Sequence, residues 1–174
     1  PPPRGSRPPR RPTGPGAPPL EPRPTSRTFL VGQVDESSAR LVAATKAAMW
    51  AGVRAVGPQA RLGDVGAAIL EVAERAGFSV VRSYCGHGIG RRMHMPPSVP
   101  HFGVKGRGLR LRPGMAFTIE PMLNAGSELV VEEADGWTVR TADGERSAQF
   151  EHTVLVTETG VEVLTALEAR SSSH

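Results

Sequence analysis

A single cysteine, Cys85, stands in 174 residues, so no internal disulfide can form and a reducing compartment is implied. No apolar run approaches the ~18 residues of a membrane-spanning helix. The first residues carry arginines with no apolar stretch behind them, which argues against a secretory leader. These absences point to a soluble cytoplasmic chain with no membrane partner. Acid is scarce at the start. Residues 1–30 hold six arginines against Glu21 alone, while the remainder holds 15 basic and 16 acidic residues. The basic excess belongs to the tail, so no specific nucleic-acid partner is expected for the rest.

Large apolar side chains are also missing from residues 1–24, Leu20 apart, and 11 of the 17 prolines crowd there. Such a segment cannot bury enough surface to offset its chain entropy, and it reads as a disordered tail of polyproline II character. A proline-rich ligand for an SH3-like domain and a basic arm drawn to RNA are the functional alternatives. Residues 25–168 form one domain by length, and 169–174 read as a disordered C-terminus.

Within the domain the pattern is helical first. Thr28–Gly32 reads as the end of a strand. Asp35 then caps a helix from Glu36 to about Val56, with Leu41, Ala44, Ala48, Met49 and Val53 at helical spacing. A second helix runs from about Gly63 to Ala76, closed by Gly77. Strands follow. Phe78–Val81 leads into a glycine-rich loop, and Pro96, Pro97 and Pro100 predict an irregular segment after it. Met115–Glu120 alternates Met115, Phe117 and Ile119 on one face with Thr118 and Glu120 on the other. Asp135-Gly136 marks a hairpin between Glu128–Glu133 and Trp137–Thr141. Gln149–Val156 and Val161–Thr165 make a last pair through Thr159-Gly160. Antiparallel strands after two helices predict an α+β fold.

The loop Tyr84-Cys85-Gly86-His87-Gly88-Ile89-Gly90-Arg91-Arg92-Met93-His94 sets two histidines among glycines. Glycines beside His87 allow a sharp turn and a close approach of backbone to ligand. Cys85 reads as a small buried residue. Glu120 and Glu151 each interrupt an apolar strand, where an unpaired carboxylate costs several kcal/mol to desolvate. Three explanations stand open: a metal site with His87, an outward position on a solvated sheet, or a buried ion pair with arginine. Imidazole plus carboxylate suits zinc, manganese, iron or cobalt better than calcium.

Four motifs in order, Tyr84–Gly90, Thr118-Ile119-Glu120-Pro121-Met122, Asp135-Gly136-Trp137-Thr138 and Ser147–Thr153, closely resemble the C-terminal half of type I methionine aminopeptidases. The likeness runs from about Thr25 to Thr165. It implies the pita-bread fold, a curved antiparallel sheet covered by helices around a dinuclear metal centre. By resemblance His87 and Glu120 are metal ligands, and Glu151 is a carboxylate bridging two ions. His94 is the histidine that bonds the substrate amide, and Met93 and Trp137 line the methionine pocket. His101 and His152 receive no role, and His152 alternates away from Glu151.

The departures are as informative. Where the family reads Phe-His-Glu-Glu-Pro, this chain reads Met93-His94-Met95-Pro96-Pro97. Where the family places an aspartate ligand in Gly-Asp-Thr-Ser, it reads Arg23-Pro24-Thr25-Ser26, and no aspartate or histidine lies upstream. Three of five family ligands remain. The resemblance thus implies removal of methionine from nascent polypeptide N-termini, with the ribosome as a possible site of encounter. It also implies impaired activity and at most one cobalt, manganese, iron or zinc ion. A non-catalytic remnant that binds a partner, and a proline-directed or creatinase-like hydrolase, are the other readings. Loss of the first half further predicts that Met115–Glu120 exposes unpaired backbone with Met115, Phe117 and Ile119, inviting self-association.

Overall fold

The computed structural model describes residues 24–166; the segments read as tails, residues 1–24 and 169–174, fall outside it except for Pro24. Helix α1 (Glu36–Arg54) begins where the Asp35 carboxylate accepts the Ser38 N–H at 2.8 Å, with Glu36 in the positive first turn. Leu41, Thr45, Ala48, Met49, Gly52 and Val53 form its buried stripe. Helix α2 (Leu62–Ala76) starts with the Arg61 N–H donated to Asp64 and stops at Gly77, whose φ of 80° is left-handed. A Cβ at Gly52 would meet the Ile69 side chain, so glycine lets the two helices close on each other.

The helices lie against an antiparallel sheet. Its centre is a ten-residue strand, numbered β9 in chain order (Ser147–Val156). Before it come β1 (Ser26–Arg27), β2 (Ser79–Val80), β3 (Gly86–Gly88), β4 (Met95–Val99), β5 (Ala116–Ile119), β6 (Met122–Asn124), β7 (Val130–Glu132) and β8 (Val139–Thr141); β10 (Val161–Val163) follows. The sheet runs β2-β6-β9-β5-β3-β4, and β1 and β10 also pair with β9. Strands β7 and β8 form a separate ribbon. The core joins Leu41, Met49 and Ile69 of the helices to Phe117, Ile119, Leu123 and Val154 of the sheet.

Four expectations are corrected. The early strand is Ser26–Arg27, not Thr28–Gly32, because only the former pairs with β9 through its backbone, at Glu151 and Phe150, whereas Thr28 meets Gln149 through its hydroxyl. The proline segment is a strand: β4 pairs with β3 alone, and an edge tolerates residues that lack an amide donor. Strand β5 is not exposed. It is held by β9 on one side and β3 on the other, and Phe117 and Ile119 are fully buried. Finally, His87 sits on a strand, and its flanking glycines do not turn the chain. A Cβ at Gly86 would strike the Thr118 carbonyl, and one at Gly88 the Pro96 carbonyl. The glycines are there because backbones on both sides come too close for any side chain. Gly86→Ala is therefore expected to destabilise the fold by about 2–3 kcal/mol through overpacking, read as a lower midpoint in urea with an unchanged slope.

Candidate metal centre

Three elements deliver the site. Strand β3 carries His87, the residue after β5 is Glu120, and the middle of β9 carries Glu151. One donor atom from each lies within 4.8 Å of the other two. His87 Nδ1 lies 3.0 Å from the Gly88 carbonyl, which can only accept, so Nδ1 carries a proton and in the neutral ring the Nε2 lone pair is free. That lone pair faces Glu120 Oε1 at 3.7 Å. Two acceptors aimed at each other across that gap are a geometry a shared cation satisfies.

The carboxylates are held from the sides. Thr118 Oγ1 accepts the His87 N–H at 2.9 Å and donates to Glu120 Oε1 at 2.7 Å, and Gln149 Nε2 approaches Oε2 at 3.4 Å. Among the described residues neither carboxylate pairs with arginine or lysine, which removes the ion-pair explanation; Glu151 is buried, and the Glu120 side chain is only 15% exposed, which removes the solvated one. Burial pushes the Glu120 carboxyl up, against the pull of Thr118 and His87. Burial and then the neighbouring Glu120 charge push Glu151 up to about 7. The donor set, one imidazole nitrogen and two carboxylates, fits a single divalent transition ion with open positions for water and substrate.

The remaining sequence candidates are spread out. The His94 ring lies 4.3 Å from the His87 ring at a tilt of 55°. Met93 precedes it in an exposed loop. Trp137 stands at the turn of the β7–β8 ribbon, 88% exposed, its backbone N–H given to Asp135 Oδ1. Cys85 is exposed rather than buried, since it precedes the strand pairing that begins at Gly86. His152 stacks near Trp50 of α1 and bonds Thr165 through Nδ1, on the face opposite Glu151. Sequence reasoning gave no role to Thr118, Gln149 or His101, which touch Glu120 directly. Thr118 was detectable as a hydroxyl on the same strand face two residues before the glutamate.

A raised carboxyl has a consequence for stability. With Glu151 near 7 when folded and about 4.5 when unfolded, the native state holds the extra proton, so stability is full below about pH 4.5 and falls as pH rises through 7. The metal-free chain should lose up to about 3 kcal/mol from this group across that window. Thermal unfolding from pH 4.5 to 7.5 should show the decline, and Glu151→Gln should flatten it.

Residues 24–158 match the model of metallopeptidase family M24. The chain is 59% identical over 141 residues to methionine aminopeptidase B of Synechocystis, covering 81% of this chain and 52% of that protein. The crystal structure of methionine aminopeptidase from Rickettsia prowazekii superposes with a TM-score of 0.80 at 50% identity, over 82% of this chain and 58% of that one. The prolidase from Pyrococcus furiosus, at 24% identity and a TM-score of 0.61 over 83% of this chain and 37% of that one, shares the fold alone. The chain spans about half the length of the curated relatives it matches.

Proposed function

The chain belongs to metallopeptidase family M24, and on that premise we propose that it is the ligand-bearing C-terminal half of a methionyl aminopeptidase, impaired as it stands. Residues 25–168 are the peptidase-like unit in this reading. The observation that carries it is the free His87 lone pair facing Glu120 beside Glu151. These three residues would hold one divalent ion, with cobalt, manganese, iron and zinc all suited to the donor mix. When bound, the ion supplies Lewis acidity that lowers the pKa of a coordinated water toward neutrality.

The chain's own residues do the rest. Glu151, whose carboxyl burial and the Glu120 charge raise to about 7 in the metal-free chain, would give up that proton as it takes its place beside the ion. His94, whose ring lies beside His87, would donate to the amide oxygen of a substrate as charge builds there. Met93 and Trp137 would line the methionine pocket. The substrates proposed are N-termini of nascent polypeptides, met at the ribosome in the cytoplasm. A partner-binding role without catalysis is favoured by another observation: Phe29 and Val31 are exposed, and with Leu30, Val34, Leu41 and Val42 they line a cavity of about 390 Å³ that none of the three metal-site residues enters.

Release of methionine from Met-Ala-Ser, with Mn²⁺ or Co²⁺ added, separates the two readings. The expected rate is measurable, abolished by chelation, and roughly two to three orders of magnitude below that of a full-length relative. A rate within about tenfold of that relative would contradict the impairment, and no metal-dependent release would leave the partner-binding role.

A further inference from the structure

His101 lies just past β4 and is fully buried. Its Nε2 is 3.1 Å from the backbone nitrogen of Glu120. A backbone N–H can only donate, so Nε2 must be the unprotonated nitrogen and the ring proton sits on Nδ1. Nδ1 is buried without a hydrogen-bond partner among the described residues, a cost the fold tolerates.

The reason for the contact lies in the strand. Strand β5 ends at Ile119, and Pro121 has no amide, so the Glu120 N–H is the last donor before β6. Strand β3 pairs with β5 only at Gly88 opposite Phe117, so on that side of β5 no strand carbonyl stands opposite Glu120. The ring takes that place. We propose that His101 is a positioning residue for Glu120: its neutral imidazole replaces the missing strand partner and fixes the main chain from which the carboxylate reaches toward His87 and Glu151. Thr118 and Gln149 then orient the two oxygens, so backbone and head group are restrained from three elements. The effect on metal rests on the function proposed above; the hydrogen bond does not.

The test starts with the unmodified chain. Long-range ¹⁵N spectra of the imidazoles should show His101 protonated at Nδ1 and accepting at Nε2; a proton on Nε2 overturns the proposal. His101→Leu removes the acceptor, and His101→Gln restores one through its amide oxygen. Calorimetry with Mn²⁺ should show affinity weakened about 10–100-fold in the leucine variant and within about threefold of the parent in the glutamine variant. A folded leucine variant that binds Mn²⁺ as tightly as the parent overturns it too. A merely structural role would lower the melting temperature of both without this split. Should the leucine variant not fold, the tautomer and the glutamine variant decide. Should the parent bind no Mn²⁺, the metal reading fails. His101 is then judged by the tautomer and by Glu120 amide exchange, expected to be about tenfold or more faster with leucine than with glutamine.

Discussion

Titration of the purified chain with Mn²⁺ is expected to saturate at one ion per chain, and Glu151→Gln is expected to weaken that binding by about a hundredfold or more. The stoichiometry follows from the donors. One atom each from His87, Glu120 and Glu151 converges on one point. A second ion would need further ligands, and Arg23, Pro24, Thr25 and Ser26 stand where the family resemblance places an aspartate. The loss in the variant follows from charge. Glu151 supplies one of two negative charges, and a neutral amide of the same shape keeps the packing while surrendering the attraction. Isothermal calorimetry reads both quantities. Two tight sites, or an unchanged affinity in the variant, would contradict the assignment.

The second large effect concerns assembly. Phe29 is 71% and Val31 85% exposed, and with Leu30 and Val34 they line a cavity floored by Leu41 and Val42 of α1. A contiguous apolar face of this kind is covered in a stable protein. Relatives are nearly twice as long as the part matched here, and their additional residues are the natural cover. Alone, the chain is expected to elute from size exclusion as a self-associated species. With the N-terminal half of a methionine aminopeptidase added in trans, it should become a defined heterodimer, and methionine release should rise by about two orders of magnitude or more as missing ligands arrive. A monodisperse monomer melting cooperatively above about 60 °C would defeat this expectation.

What the sequence made legible was local. Asp35 before Glu36, the apolar stripe from Leu41 to Val53, and Gly77 after Ala76 each rest on interactions within a turn or two, and the structure reproduces both helices to within two residues or fewer. The Asp135-Gly136 ribbon and the β9–β10 pair were legible for the same reason. Failures came where a distant neighbour decides. Prolines 96 and 97 forbid a central strand but not an edge, and only the sheet order shows that β4 is an edge. Gly86 and Gly88 looked like hinges, yet their purpose is room for the carbonyls of Thr118 and Pro96. His101 is 19 residues from Glu120, and no periodicity links the end of one strand to a ring after another.

The long strand β9 has a kinetic meaning. It meets β1, β5, β6 and β10, and its pairing of Glu151 with Ser26 closes a loop spanning most of the described chain. Contacts between α1 and α2 and within the β9–β10 hairpin are close in sequence and form early; the β1–β9 pairing carries the greatest loop-closure entropy and forms late. Glu151 joins His87 and Glu120 only once β3, β5 and β9 have paired. An ion that needs all three cannot guide the chain to its fold. It acts afterwards, as a latch on unfolding, lengthening the life of the native state while leaving the speed of its formation unchanged.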